Sequence, residues 1–152
     1  MSEDSHNPFE FGPYIQIAAF CEYVLQEPDG VTTLVRVVDR VTHTYAGVNA
    51  PEAMPEFNHP LWLVIALKPG SARGRHSLAI TPAKPSGESL HPIRLPIHLE
   101  GENRGVSVVT RLDIRYQTEG LYWFDVAFDG IRITRLPLEV MYSNLDIQGP
   151  VV

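Results

Sequence analysis

The alternation of apolar and polar residues divides most of the chain into short strands. In residues 121–128, Tyr122, Phe124, Val126 and Phe128 occupy one face, and smaller or polar residues occupy the other. This period of two is typical of a strand that buries one face and exposes the other. Together with proline- and glycine-rich connections, such runs predict eight strands, at residues 14–26, 31–45, 61–68, 76–81, 93–99, 106–117, 121–128 and 131–142.

The last two runs predict a β-hairpin that closes the fold. They are joined by Asp129-Gly130, a dipeptide typical of a type I′ turn, in which both central residues have positive φ. The apolar residues of the return arm change phase near residues 134–135, beside Pro137. We therefore expect a β-bulge at that point of the last strand.

Three other runs carry positional information. Residues 61–68 are apolar on both faces and predict a central, buried strand, whereas Pro96 places residues 93–99 at a sheet edge. Residues 14–26 fit a helix or a strand, and the short turn to the Val- and Thr-rich run that follows favours a strand. The predicted fold is all-β, a single antiparallel β-sandwich of about eight strands, Ig-like or C2-like, with flexible tails at residues 1–12 and 146–152 around a domain at 13–145.

Composition narrows the classes of partner and compartment. The chain has 152 residues, 44% of them hydrophobic, and a net charge of −6, which predicts one globular domain and argues against a nucleic-acid partner. Its single cysteine allows no intrachain disulfide, so we expect a reducing, cytoplasmic setting. The acidic N-terminus does not have the pattern of a signal peptide. The apolar runs are too short to span a membrane, so we expect no membrane partner.

A resemblance to a known family rests on three segments. They are YIQIAAFCEYVLQEPDGVTTLVRVVDRV, FNHPLWLVIALKP and GLYWFDVAFDGIRITRLPLEV, and the similarity covers about residues 14–142. In these core and turn positions the chain resembles an uncharacterised family of bacterial β-sandwich proteins, a domain of unknown function. The resemblance implies a compact β-sandwich of bacterial, intracellular origin and supplies no catalytic residues.

Charged turns suggest an ion or anion site at one end of the predicted fold. In an up-and-down chain of eight strands, the loops near residues 26–30, 68–75, 100–105 and 129–130 lie at the same end. Carboxylate oxygens there are suitable Ca²⁺ ligands, and the cationic KPGSARGR turn suits an anion. Ordinary solvated turns are the alternative explanation. The residues of this predicted rim are Glu27, Asp29, Arg73, Arg75, Glu100, Glu102 and Asp129.

Signatures of catalysis and of bound cofactors are absent from the sequence. The six histidines have no metal-ligand spacing, no nucleophile motif is present, and Cys21 on an apolar strand is typical of a packing residue. We therefore predict no cofactor, no metal site and no enzymatic activity.

Protein binding is the leading functional hypothesis. The long loop at residues 46–60 contains apolar side chains without strand periodicity, and Trp123 lies opposite the aromatic row of its strand, either packed or exposed for binding. The candidate contact residues are Val48, Met54, Phe57 and Trp123. The alternatives are an ion- or anion-binding sensor that uses the charged rim, and a structural protein that self-associates through its strand edges.

Overall fold

The computed structural model describes residues 6–101 and 103–146, and the prediction of an all-β fold is confirmed. No helix occurs in this part of the chain, so none is long and apolar enough to cross a membrane. The strands are β1 (Tyr14–Gln26), β2 (Thr32–Val38), β3 (Arg40–Gly47), β4 (Phe57–Asn58), β5 (Leu61–Lys68), β6 (Gly74–Ala83), β7 (Ile93–Leu99), β8 (Val106–Leu112), β9 (Arg115–Tyr116), β10 (Gly120–Phe128) and β11 (Ile131–Asp146).

The described residues form two larger sheets that share one hydrophobic core. A four-stranded sheet has the order β2-β1-β5-β8, a five-stranded sheet has the order β3-β11-β10-β6-β7, and β4 pairs with β9. Phe20 of the first sheet and Phe124 of the second meet edge to face at 5.0 Å between ring centroids. The prediction of a single antiparallel assembly of eight strands is corrected, because residues 6–101 and 103–146 form eleven strands and β3 pairs parallel to β11.

One of the three additional strands arises from a reversal of the chain, and the other two are the short strands β4 and β9. The run at residues 31–45 was predicted to be a single strand, but it divides at Asp39 into β2 and β3, which belong to different sheets. Both halves are rich in Val and Thr, so the hydrophobic pattern continues across the break. Because this reversal is not expected from the pattern, every strand after it runs opposite to the direction that eight alternating strands require.

The predicted hairpin is present as β10 and β11. Asp129 and Gly130 have φ values of 48° and 82°, as a type I′ turn requires. Val126 pairs with Thr134 and Ala127 with Arg132, so Ile133 is the extra residue of a bulge next to the expected position. The aromatic row of β10 is buried in the core, which confirms the predicted face of this strand.

The segment before β1 packs against the domain. The amide and hydroxyl of Ser71 both donate to the Phe11 carbonyl, at 2.7 and 2.9 Å, and Phe9 meets Phe128 edge to face. Within the predicted N-terminal tail, Phe9 and Phe11 therefore contact the fold. Residues 1–5 of that tail and residues 147–152 of the predicted C-terminal tail lie outside the described residues.

Candidate functional site

The predicted charged rim is divided between the two ends of the domain. Tyr14 pairs with Lys68 at the start of β1, so the turn at residues 27–31, which follows β1, lies at the opposite end from the turn after β5. The turn after β5, the β7–β8 loop and the β10–β11 turn do come together, and we call this the hairpin end. Glu27 and Asp29 lie at the other end because of the reversal at Asp39. Glu102 lies outside the described residues.

The rim residues at the hairpin end are mostly engaged in holding their own loops. Arg73 donates to the carbonyls of Gly70 and Ala72 at 2.8 and 2.9 Å, and Arg104 pairs with Glu100 at 3.0 Å. Arg75 is exposed on β6, opposite an edge strand. Among the described residues, no three His, Cys, Asp or Glu side chains are grouped as a metal site requires.

Asp129 and His76 form the most tightly bonded charged pair at this end. Asp129 accepts from the Ser77 amide at 2.9 Å and from Nδ1 of His76 at 2.6 Å. The pKa of Asp129 is lowered, first by the Ser77 amide and then by His76, and the hydrogen bond to Asp129 raises the pKa of His76. Nε2 of His76 lies 2.7 Å from the Arg73 carbonyl oxygen. The pair therefore ties the turn before β6 to the hairpin tip, which is a structural role.

The loop at residues 46–60 provides less exposed apolar surface than predicted. Val48 is 64% exposed, but Met54 is only 9% exposed and belongs to the core. Phe57 stacks on His43 at 4.3 Å between centroids, and Tyr142 donates to the Pro51 carbonyl at 2.7 Å. We call residues 48–58 the flap. Because Met54 and Phe57 pack against the domain, the prediction that they offer free contact surface is corrected.

Trp123 lies on the outer face of the five-stranded sheet. It pairs across the strands with Ala83 and Pro137, and it does not belong to the core cluster. The guanidinium of Arg135 lies 4.4 Å from its ring centroid and also binds Asp125 at 2.7 Å. Trp123 is therefore half-buried under a cation that is itself held by a carboxylate.

Exposed apolar residues also lie on the outer face of the four-stranded sheet. Residues paired across antiparallel strands share a face, and one such row runs Val37, Cys21, Trp62, Arg111 across all four strands. The core residues Phe20 and Leu63 are one position away and point to the opposite side. We call this outer face the platform; by register it comprises Ile17, Ala19, Cys21, Tyr23, Leu25, Thr33, Val35, Val37, Trp62, Val64, Ala66, Ser107, Val109 and Arg111.

The platform is mostly apolar, and part of it is open to solvent. Tyr23 and Val37 are each 63% exposed, and Trp62 is half-buried between its neighbours. A depression of about 490 Å³ lies at one end of the platform, lined by Tyr23, Trp62 and Arg111 together with Glu22, Val24, His59 and Pro60. The platform thus combines a flat apolar area with a recess at which Trp, Tyr and Arg side chains meet.

Cys21 lies at the centre of the platform but does not reach solvent. It is 0% exposed and absent from the core cluster, so the platform side chains around it bury it. Burial raises the pKa of the Cys21 thiol, which disfavours the nucleophilic thiolate. The prediction that Cys21 is a packing residue therefore fits its position, although the layer in which it packs is the outer one.

The comparisons with known proteins concern the family and the fold. The sequence matches the model of "Family of unknown function (DUF6941)" over residues 16–141. The chain belongs to DUF6941. The match confirms the predicted resemblance to an uncharacterised family and covers every strand of both larger sheets at least in part. No curated protein matches this DUF6941 chain.

Solved structures resemble the DUF6941 fold only weakly. A beta-glucosidase from Listeria innocua in complex with isofagomine is 10% identical, with a TM-score of 0.48, and the match covers 84% of this chain and 17% of that one. The alkylpurine DNA glycosylase AlkC from Pseudomonas fluorescens, bound to DNA with an abasic site analog, is 12% identical, with a TM-score of 0.42, and the match covers 82% and 31%. The chain thus spans less than a third of either enzyme's length.

These structures correct one prediction from the sequence. The solved structures reported above are enzymes, so the expectation that the chain has no enzymatic activity is not retained. Identities of 10% and 12% describe a resemblance of backbones, and neither enzyme's reaction is thereby assigned to the DUF6941 chain.

Proposed function

We propose that this DUF6941 domain is a protein-interaction module that binds a partner protein through the platform. The observation that carries this proposal is the open apolar face of the four-stranded sheet, on which Tyr23 and Val37 are each 63% exposed. Contiguous apolar surface of this kind on a soluble domain is typical of an interaction site. The proposed scaffold is a β-sandwich of the Ig-like or C2-like kind, and the single cysteine supports a reducing, cytoplasmic setting.

The side chains around the recess support protein binding in particular. Tyr, Trp and Arg are the residue types that most often dominate the binding energy of protein interfaces, and all three line the recess. Fully burying one large apolar side chain contributes roughly 1.5–3 kcal/mol, so Tyr23 and Val37 alone would contribute several kcal/mol against a complementary surface.

The charges define the kind of partner. The chain carries a net charge of −6, whereas the platform contains one charged residue, Arg111, which is paired with Asp113 at 3.3 Å in an exposed position. An exposed pair of this kind stabilises little and exchanges readily. The proposed partner therefore presents apolar side chains to Tyr23 and Trp62 and a hydrogen-bond acceptor to Arg111.

The test is quantitative capture from the native extract with matched variants. Tyr23→Ser combined with Val37→Ser removes exposed apolar area from the platform, and Val48→Ser combined with Ile131→Ser removes a similar amount elsewhere. We expect a protein captured in stoichiometric amounts by the unchanged chain and by the control, and at least tenfold less by the platform variant. Equal capture by both double variants would refute the proposal.

A sensor of ions or small anions at the hairpin end has weaker support. Arg73, Glu100 and Asp129 are engaged with groups of their own loops, and Glu27 and Asp29 lie at the other end. Titration calorimetry with Ca²⁺ and with phosphate gives no heat of binding if these contacts are only structural.

A further inference from the structure

The outer edges of the two sheets differ in how far they are protected from pairing. An exposed edge strand is a template for another strand, and natural proteins usually interrupt it with proline, charge or a bulge. Strand β7 contains Pro96, and β2 contains Arg36, which has a φ of 57° and pairs with Glu22 at 2.6 Å. Strand β3 leads directly into the flap, whose Phe57 stacks on His43.

Strand β8 has no proline and no bulge, and its one charged residue is Arg111. Its sequence VSVVTRL contains neither proline nor glycine, and all seven residues pair with β5 in one continuous register, from Leu61 opposite Leu112 to Leu67 opposite Val106. Within residues 6–101 and 103–146, β8 has no second strand partner and no backbone hydrogen bond to a loop. Its outer edge therefore presents a regular set of amide and carbonyl groups.

We propose that β8 pairs antiparallel with β8 of a second copy of this chain, which joins two four-stranded sheets into one of eight strands. The two-fold axis lies at Val109, the middle of the seven-residue strand, because that register pairs the most residues. In it Val108 faces Thr110, and Arg111 faces Ser107. Arg111, the single cation of the strand, thus faces the Ser107 hydroxyl of the second copy and not the second Arg111.

Charge complementarity favours a second copy as the occupant of this edge. Two chains of net charge −6 repel each other unless they meet where carboxylates are absent, and residues 106–112 contain none. The register that pairs Arg111 with Ser107 also brings Asp113 of one copy next to Gly105 of the other, beside the exposed Arg104. One cation and one carboxylate thus approach at each end of the new ladder.

The pairing has a consequence for the platform. A two-fold axis perpendicular to the sheet keeps the outer faces of both copies on the same side. The two platforms therefore lie side by side on one face of the joined sheet. The apolar surface available to a partner doubles. The inference is independent of the proposed function, since it rests on the edge of the sheet and not on its face.

Cysteine cross-linking in the full chain tests the register. Residues directly opposite on antiparallel strands have Cβ atoms about 4.5–5.5 Å apart, close to disulfide geometry. With diamide as the oxidant, Val109→Cys is expected to form a disulfide-linked dimer, and Ser107→Cys, which faces Arg111, is expected to remain largely monomeric. Ser107 is the more exposed of the two, so cross-linking by random collision would give the reverse order. Cys21 is buried and common to both variants.

Light scattering distinguishes the edge from the face. The unchanged chain is expected at twice its mass of 17.0 kDa, and Val109→Lys, which opposes two cations at the axis, is expected as a folded monomer by circular dichroism. Val37→Lys, on the platform but away from β8, should remain a dimer. A monomeric unchanged chain, equal cross-linking of the two cysteine variants, or dissociation by Val37→Lys alone would overturn the proposal. Loss of partner capture by the Tyr23 and Val37 variant has no bearing on it.

Discussion

The pairing of His76 with Asp129 predicts a dependence of stability on pH. The Asp129 carboxylate and the Arg73 carbonyl oxygen both accept hydrogen bonds, and they lie 2.6 and 2.7 Å from the two ring nitrogens of His76. Both nitrogens can donate only if the ring is doubly protonated. The folded state therefore favours the imidazolium, in line with the raised pKa of His76, whose main cause is the hydrogen bond to Asp129.

The sign of the effect follows from the two shifts. Because the pKa of His76 is raised above its ordinary value of 6.5, its contribution is complete below that pH and is lost as pH rises through the folded pKa. Because the pKa of Asp129 is lowered from 3.8, its contribution is present above that value and is lost as pH falls through the folded pKa. We expect this pair to stabilise the fold most between about pH 4 and 6.5.

Asp129→Asn isolates the charge of this pair. Asparagine tolerates the φ of 48° at this position and keeps an acceptor for the Ser77 amide, so mainly the ionic hydrogen bond to His76 is lost. Such bonds contribute about 1.5–3 kcal/mol when buried. Because the Asp129 side chain is 46% exposed, we expect about 1 kcal/mol at pH 5.5, or a decrease in Tm of about 2–4 °C.

The assay is urea unfolding at pH 5.5 and pH 8.5. The free energy of unfolding of the unchanged chain should be lower at pH 8.5 than at pH 5.5, and this difference should be much smaller in Asp129→Asn. His98→Gln, on the exposed face of β7, is the control and should follow the unchanged chain. An equal pH dependence in Asp129→Asn and the unchanged chain would show that the imidazolium does not stabilise the fold.

Two further predictions concern single atoms. Within the described residues the buried hydroxyl of Tyr116 has no hydrogen-bond partner, whereas Tyr122 donates to the Thr118 carbonyl at 2.8 Å. In urea titrations, Tyr116→Phe should therefore raise the free energy of unfolding by about 1 kcal/mol, and Tyr122→Phe should lower it by about 1 kcal/mol. A lower free energy of unfolding in both variants would contradict this explanation. A Cβ at Gly70 would meet the Phe11 carbonyl, whereas one at Gly74 would meet no atom within 4 Å, although both residues have positive φ. Gly70→Ala should lower the free energy of unfolding by about 2–4 kcal/mol and speed proteolysis of the docked N-terminal segment. Gly74→Ala should lower it by only about 1–2 kcal/mol. Equal losses would show that the close approach of Gly70 to Phe11 is unimportant.

Local patterns predicted the individual strands well. The hairpin turn, its bulge and the edge position of the strand with Pro96 all depend on a few neighbouring residues, and each is found where it was expected or one residue away. The register of β10 with β11 follows from the turn, so its buried aromatic row could also be predicted.

The arrangement of the loops could not be predicted in the same way. A change of sheet at Asp39 requires no proline, glycine or change in hydrophobicity, because a Val- and Thr-rich sequence suits both β2 and β3. One unrecognised reversal inverts the direction of every later strand. It therefore separated Glu27 and Asp29 from Arg73 and Asp129, although each turn had been located correctly.

The platform corresponds to a sequence pattern that also predicts burial on both faces of a strand. A central strand that is apolar on both faces predicts burial on both faces, and β5 is central, with Leu63 and Ile65 in the core. Its other face, with Trp62 and Val64, has no covering sheet among the described residues, and Val64 is outside the core cluster although it is 1% exposed. Since the core is complete without these side chains, their apolar character is not required for packing between the sheets. The apolar character of this face is explained if a second protein covers it, and this is the physical basis of the proposed interaction.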